Sequence, residues 1–173
     1  MRAIVLILIN ALLVDLGVGL NATISIQVDV NQCSIDPRVA TLRCINVPVD
    51  LIREAFNEWD LSQVSRLDIY GGTLNMIDEL RSINLSPLKI QGLSIRSSGL
   101  QTLKSEALDG FNQNILETIN LSWNELIQVP EVVLGLVKLR HLDLSHNKIF
   151  SLPPGSSFNS LNALATLKLS GNR

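Results

Sequence analysis

The stretch Leu139-Arg-His-Leu142-Asp-Leu144-Ser-His-Asn147-Lys-Ile149-Phe-Ser-Leu152 decides how this chain folds. Its apolar residues stand at 139, 142, 144, 149 and 152, with Asn147 between them, which is the spacing L-x-x-L-x-L-x-x-N-x-L-x-x-L. An amphipathic helix places apolar residues at i, i+3, i+4 and i+7, and a half-buried strand alternates throughout. Here only Leu142-Asp-Leu144 alternates. A very short strand is therefore followed by a turn that needs an asparagine. A unit of this size cannot bury its own apolar face, so copies must stack beside it.

The copies are present. Upstream run Leu116-Glu-Thr-Ile119-Asn-Leu121-Ser-Trp-Asn124-Glu-Leu126-Ile-Gln-Val129 and Ile90-Gln-Gly-Leu93-Ser-Ile95-Arg-Ser-Ser98-Gly-Leu100-Gln-Thr-Leu103. Before them lies Val64-Ser-Arg-Leu67-Asp-Ile69-Tyr-Gly-Gly72-Thr-Leu74-Asn-Met-Ile77, and downstream Leu164-Ala-Thr-Leu167-Lys-Leu169-Ser-Gly-Asn172. The strand positions 67, 93, 119, 142 and 167 recur at intervals of 26, 26, 23 and 25. Five units in one frame resemble the leucine-rich repeat family over roughly residues 64–173. The resemblance implies an α/β solenoid, curved, with a short parallel sheet on its concave face and 3₁₀ or short helical turns on its convex face. In that family the asparagine amide satisfies backbone groups of the tight turn, a task for a side chain that both donates and accepts. Asn124, Asn147 and Asn172 would form this ladder. Gly72 and Ser98 stand where asparagine is expected, so the first two turns should be looser or hydrated.

The 173 residues suffice for one domain, and a net charge of -2 gives no footprint for nucleic acid or anionic lipid. Aromatics are 4%, so the core must be aliphatic. Residues 1–22 read as a signal peptide: Arg2, then an apolar run from Ala3 to Val14 broken by Asn10 and ended by Asp15. That run is short for a membrane span, and cleavage after Gly19 or Ala22 is expected. Cys33 and Cys44, eleven residues apart, are most simply a disulfide in an oxidising compartment. Residues 23–63 then form an N-terminal cap, needed because stacked repeats leave an apolar end open. Thr23 to Val30 alternates as a half-buried strand, Leu51 to Leu61 reads as a helix or turn, and Trp59 as packing. The arrangement resembles the cysteine-bearing cap of extracellular leucine-rich repeat proteins, with two cysteines where those caps often carry four.

On the outer side, Ser105 is placed to cap a helical turn, with Leu108 and Phe111 turned inward. Pro130, Pro153 and Pro154 disfavour long helices. The repeat pattern ends at Asn172, so Leu167 and Leu169 are expected on an open end that a dimer partner or further chain would cover. A fragment is the favoured reading.

The residues between the inward leucines would line the concave face. The binding candidates there are Arg66, Asp68, Tyr70, Arg96, Trp123, His141, Asp143, His146 and Lys168. Exposed Trp, Tyr and Arg are the usual anchors of protein recognition. Asp143 and Ser145 are common repeat fillers and count as fold background, while Trp123 is either a contact or a side chain lying over its neighbours. His141, Asp143 and Ser145 alternate on one strand, which invites a Ser-His-Asp reading. Alternate strand residues lie about 7 Å apart, whereas triad partners must hydrogen-bond directly at about 3 Å. No oxyanion hole is evident, and His141 with His146 lacks a third metal ligand. Sequons occur at Asn21, Asn84 and Asn120, the last two being the candidate glycosylation sites.

The expected function is non-covalent recognition of a protein or glycoconjugate by a secreted or surface-displayed domain. No catalysis, cofactor, nucleic-acid partner or membrane insertion is expected. The rivals are the N-terminal part of a larger receptor or adhesion ectodomain and a non-catalytic subunit stabilising a secreted enzyme; a hydrolase is disfavoured.

Overall fold

A computed structural model describes residues 32–47, 61–71, 89–103, 108 and 115–173. The signal peptide, the 23–30 strand, the 51–60 segment with Trp59, and Gly72, Asn84, Ser105 and Phe111 lie outside the described residues.

Each quoted leucine pair forms a strand, and the strands lie side by side in sequence order. They are β1 (Gln32–Asp36), β2 (Thr41–Ile45), β3 (Arg66–Tyr70), β4 (Gly92–Arg96), β5 (Thr118–Asn120), β6 (His141–Asp143) and β7 (Thr166–Lys168). All pair in parallel except β1, which folds back antiparallel on β2. The register aligns Leu67, Leu93, Ile119, Leu142 and Leu167, the frame that the spacing predicts. One face of β2–β6 therefore turns into a continuous aliphatic core that includes Ile69, Ile95, Leu121 and Leu144. The fold is a solenoid with parallel strands and, among the described residues, few helices.

The cap enters this frame directly. Leu42 pairs with Leu67 and Cys44 with Ile69, so β2 is a sixth copy of the strand in which cysteine fills a leucine slot. Cys44 is fully buried and is disulfide-bonded to Cys33 across the β1–β2 hairpin.

The asparagine ladder is closed. Asn124 Nδ2 donates to Ile95 O at 2.7 Å and Leu121 O at 3.0 Å, while its Oδ1 accepts from the amides of Ser98 and Leu100. Asn147 Nδ2 donates to Leu121 O and Leu144 O, and its Oδ1 accepts from Leu126 N. Asn172 repeats the pattern with Leu144 O, Leu169 O and Ile149 N. The expectation of a loose or hydrated turn at Ser98 needs amending. Its hydroxyl is fully buried and donates to Gly71 O at 3.0 Å and Arg96 O at 2.9 Å. Like Asn124 and Asn147 it reaches the carbonyl two residues back, but its other partner is Gly71 O, and Asn124 of the next repeat accepts from the Ser98 amide.

Among the described residues the outer helical elements are short. Pro130 stands at the N-cap of α1 (Glu131–Leu134), whose Val132 and Val133 are buried, and Gly155–Phe158 form a 3₁₀ turn. Leu108 and Leu161 are buried as the pattern requires, but Leu152 is exposed, unlike Leu103 and Val129 at the same place in earlier repeats. Leu167 is also exposed, and Leu169 is partly buried against the core.

Candidate binding face

Four residues beyond each inward strand leucine, the backbone turns left-handed. Asn46, Gly71, Ser97, Trp123, His146 and Gly171 all have positive φ. The cause is a row of hydrogen bonds along the stack: Asn46 N to Tyr70 O, Gly71 N to Arg96 O, Trp123 N to Ser145 O and His146 N to Ser170 O. Most side chains tolerate this conformation poorly. Here the Asn46, Trp123 and His146 side chains lie over the next repeat. The Trp123 ring stacks on His146 at 4.0 Å between centroids and 14° between planes. The His146 ring in turn lies over Gly171, where an added Cβ would meet His146 Nδ1 at 2.5 Å. Gly171→Ala is therefore expected to cost about 1–2 kcal/mol from the left-handed backbone, plus displacement of the imidazole. Thermal unfolding of the single variant and of its pair with His146→Ala checks this, because removing the ring should relieve part of the penalty.

The open face of the sheet divides into two regions. Over β2–β5 lies a hollow of about 540 Å³ bordered by Arg43, Arg66, Asp68, Ser94, Arg96 and Asn120. Asp68 sits at its floor, 9% exposed, and accepts from Arg43 Nε at 3.1 Å and from Arg96 Nη2 at 3.2 and 3.3 Å. Arg96 Nε donates to Ser94 Oγ, and its guanidinium lies 5.5 Å from the Tyr70 ring centroid. The Arg66 stem lies across Gly92, whose missing side chain makes the room: a Cβ there would come within 3.2 Å of Arg66 Cγ.

Over β5–β7 the polar groups are largely occupied with the fold itself. Asn120 Oδ1 accepts from the Ser122 amide and hydroxyl, and Asp143 Oδ1 accepts from the Ser145 amide at 3.0 Å and hydroxyl at 2.5 Å. Ser145 is buried and its proton is aimed at Asp143, so the alternating His141, Asp143 and Ser145 are not strung as a nucleophile, base and orienting acid. Lys168 Nζ lies 3.5 Å from Asp143 Oδ2. Burial acts to raise the Asp143 pKa, but the Ser145 hydrogen bonds, with Lys168, outweigh it and hold the carboxyl below its ordinary value. A carboxyl whose folded pKa is depressed stabilises the fold above its unfolded pKa, and that contribution is lost as pH falls through the folded value. Asp143→Asn should accordingly flatten the acid limb of the stability curve below about pH 4, measured by unfolding at stepped pH.

Of the sequence candidates, Arg66, Asp68, Tyr70 and Arg96 come together around the hollow, Trp123 joins His146, and Asp143 joins Lys168. His141 is exposed beside them on β6. Trp123 both lies over its neighbour and stays 60% exposed. Arg43 was not legible as a site residue while the cysteines were read only as a disulfide; the Leu42-Arg-Cys44 frame, one period ahead of Leu67, is the signal that finds it. Among the described residues no three His, Cys, Asp or Glu side chains converge as metal ligands, and no helix is long and apolar enough to cross a membrane.

Residues 88–149 match a family model described as leucine rich repeat, and residues 138–161 match a second of the same description. The chain is similar to human leucine-rich repeats and immunoglobulin-like domains protein 1, 35% identical over 104 residues, covering 59% of this chain and 9% of that protein. It is also similar to Tsukushi-A of Xenopus laevis, 33% identical over 88 residues that cover 50% of this chain and 24% of the relative. Tsukushi of Xenopus tropicalis matches at 32% over 88 residues, covering 50% of this chain and 25% of the relative. The chain thus spans at most a quarter of the length of these relatives.

Proposed function

We propose that the chain, whose repeats match the leucine rich repeat models over residues 88–161, is a non-catalytic recognition module, exported by its first 22 residues, whose open sheet face binds a protein partner. The observation that carries this is the division of labour on the sheet. Among the described residues every buried side-chain polar atom has a partner, so the buried Asn, Ser and Asp groups are satisfied within the stack, while Arg43, Arg66, Tyr70, Trp123 and His141 remain exposed on it. A rigid surface that presents aromatic and guanidinium side chains loses little entropy on docking. Export would also fit the disulfide and would offer Asn84 and Asn120 for glycosylation; a glycan on Asn120 would stand at the rim of the hollow.

The test expresses three forms in secretory cells: the wild type, a triple variant Tyr70→Ala, Trp123→Ala and His141→Ala, and Lys138→Ala on an outer connection. Each is recovered from the medium and used to capture proteins from conditioned medium. The expected result is secretion of all three, with the captured proteins lost only from the triple variant. Retention inside the cell contradicts export, and identical capture by all three contradicts recognition through the sheet.

A further inference from the structure

Resting on the open face as the recognition surface, we infer that its amino-terminal half receives an acidic polypeptide segment. The carboxylates of that segment are taken by Arg43, Arg66 and Arg96 in the hollow over β2–β5. The charge is local and unbalanced. Three guanidiniums border the hollow against one carboxylate, Asp68, which Arg43 and Arg96 share. Arg66 has no carboxylate within ion-pair distance among the described residues, and its stem is laid across Gly92 toward the same space. Elsewhere on the sheet Lys168 is paired with Asp143, and Arg140 with Glu117 and Lys148 with Glu125 beside it; the remaining described cations, Arg38, Lys89, Lys138 and Arg173, stand apart and do not converge on one hollow.

The arrangement holds more than charge. Asp68 is buried and anchors two guanidiniums from the strands on either side of it, so their forks are positioned before a ligand arrives. A guanidinium fork matches a carboxylate in two parallel hydrogen bonds, and preorganisation reduces the entropy lost on binding. Tyr70, 44% exposed beneath the Arg96 guanidinium, offers an aromatic edge for the segment's apolar side chains. A long sulfated glycan is the less suited polyanion. It needs an extended row of cations, whereas this site is one compact hollow on a chain of net charge -2.

The test titrates the chain into a fluorescein-labelled hexapeptide of alternating aspartate and glutamate, read by anisotropy at about 50 mM salt so that screening does not mask the ion pairs. A hexapeptide of alternating lysine and serine and a heparin-derived hexasaccharide serve as comparisons. The expected result is saturable binding of the acidic peptide, weakened about tenfold by Arg66→Glu and less by Arg66→Gln. The inference is overturned if the acidic peptide binds no better than the basic one, or if neither Arg66 variant changes its affinity. It is equally overturned if the hexasaccharide binds through Arg66 and the peptide does not. The wider recognition reading survives these failures when the Tyr70, Trp123 and His141 triple variant still loses its captured proteins, and falls only when that difference also vanishes.

Discussion

Asn124→Ala should lower the free energy of unfolding by about 4 kcal/mol, since each buried backbone group stripped of its partner costs about 1–3 kcal/mol. Three groups lose theirs, the carbonyl of Ile95 and the amides of Ser98 and Leu100, while Leu121 O keeps its bond from Asn147 Nδ2. Their burial between repeats leaves no ready replacement, because Ile95, Ser98 and Leu100 are all fully buried. Water entering the vacated space would recover part of the loss, which keeps the figure below the simple sum. Asn124→Asp should do little better, since the carboxylate keeps the acceptor but sets a negative charge against two carbonyls. Asn172→Ala should cost less, because Asn172 and its partner Leu169 are only part-buried, so water can replace the lost bonds more easily. Asn162→Ala, in an exposed turn, should fall within about 0.5 kcal/mol of wild type. Urea unfolding of the four variants checks the order. Equal losses at Asn124 and Asn162 would mean that the ladder does not hold the repeats together.

The second large effect concerns the cap. Breaking Cys33–Cys44 should cost about 3 kcal/mol on the chain-entropy estimate for a loop of this length. Its consequence extends past the hairpin. β2 covers β3 in register, and Leu42 and Cys44 shield Leu67 and Ile69. Fraying of β1–β2 would uncover that end of the core and its share of apolar burial, about 25 cal/mol for each Å² returned to water. Comparing the melting temperature of the oxidised chain with that of a Cys33→Ala, Cys44→Ala variant tests this. A drop of several degrees is expected; superimposable curves would show that the hairpin does not cap the sheet.

The inward leucines and the ladder asparagines were legible because their chemistry is severe. An aliphatic side chain at each strand position and an amide at each turn leave few alternatives, and the register of β3–β7 follows the spacing without a slip. The cap strand was harder to read. Cys44 occupies a leucine slot, and a cysteine read for its redox chemistry hides the apolar role it plays in the same frame. Arg43 was hidden with it. The left-handed column was not legible at all at Trp123 and His146, because neither residue type announces positive φ; only Gly71 and Gly171 hinted at it. Nor does spacing show that Asp68 draws two arginines from neighbouring strands, since that depends on side-chain reach across the sheet rather than on order along the chain. Ser98 shows the opposite case, where a departure from the pattern proved compatible with a closed turn because a hydroxyl can find carbonyls closer to hand.

The most direct measurement of the proposed role is photo-crosslinking from two positions, one on each side of the sheet. A benzophenone side chain replaces Thr118, at the edge of the hollow on the open face, or Val137, exposed on an outer connection. Both forms are irradiated in the same conditioned medium. The result expected is a discrete crosslinked protein from position 118 and none from position 137. A crosslink from 137 alone would contradict the open sheet as the recognition surface.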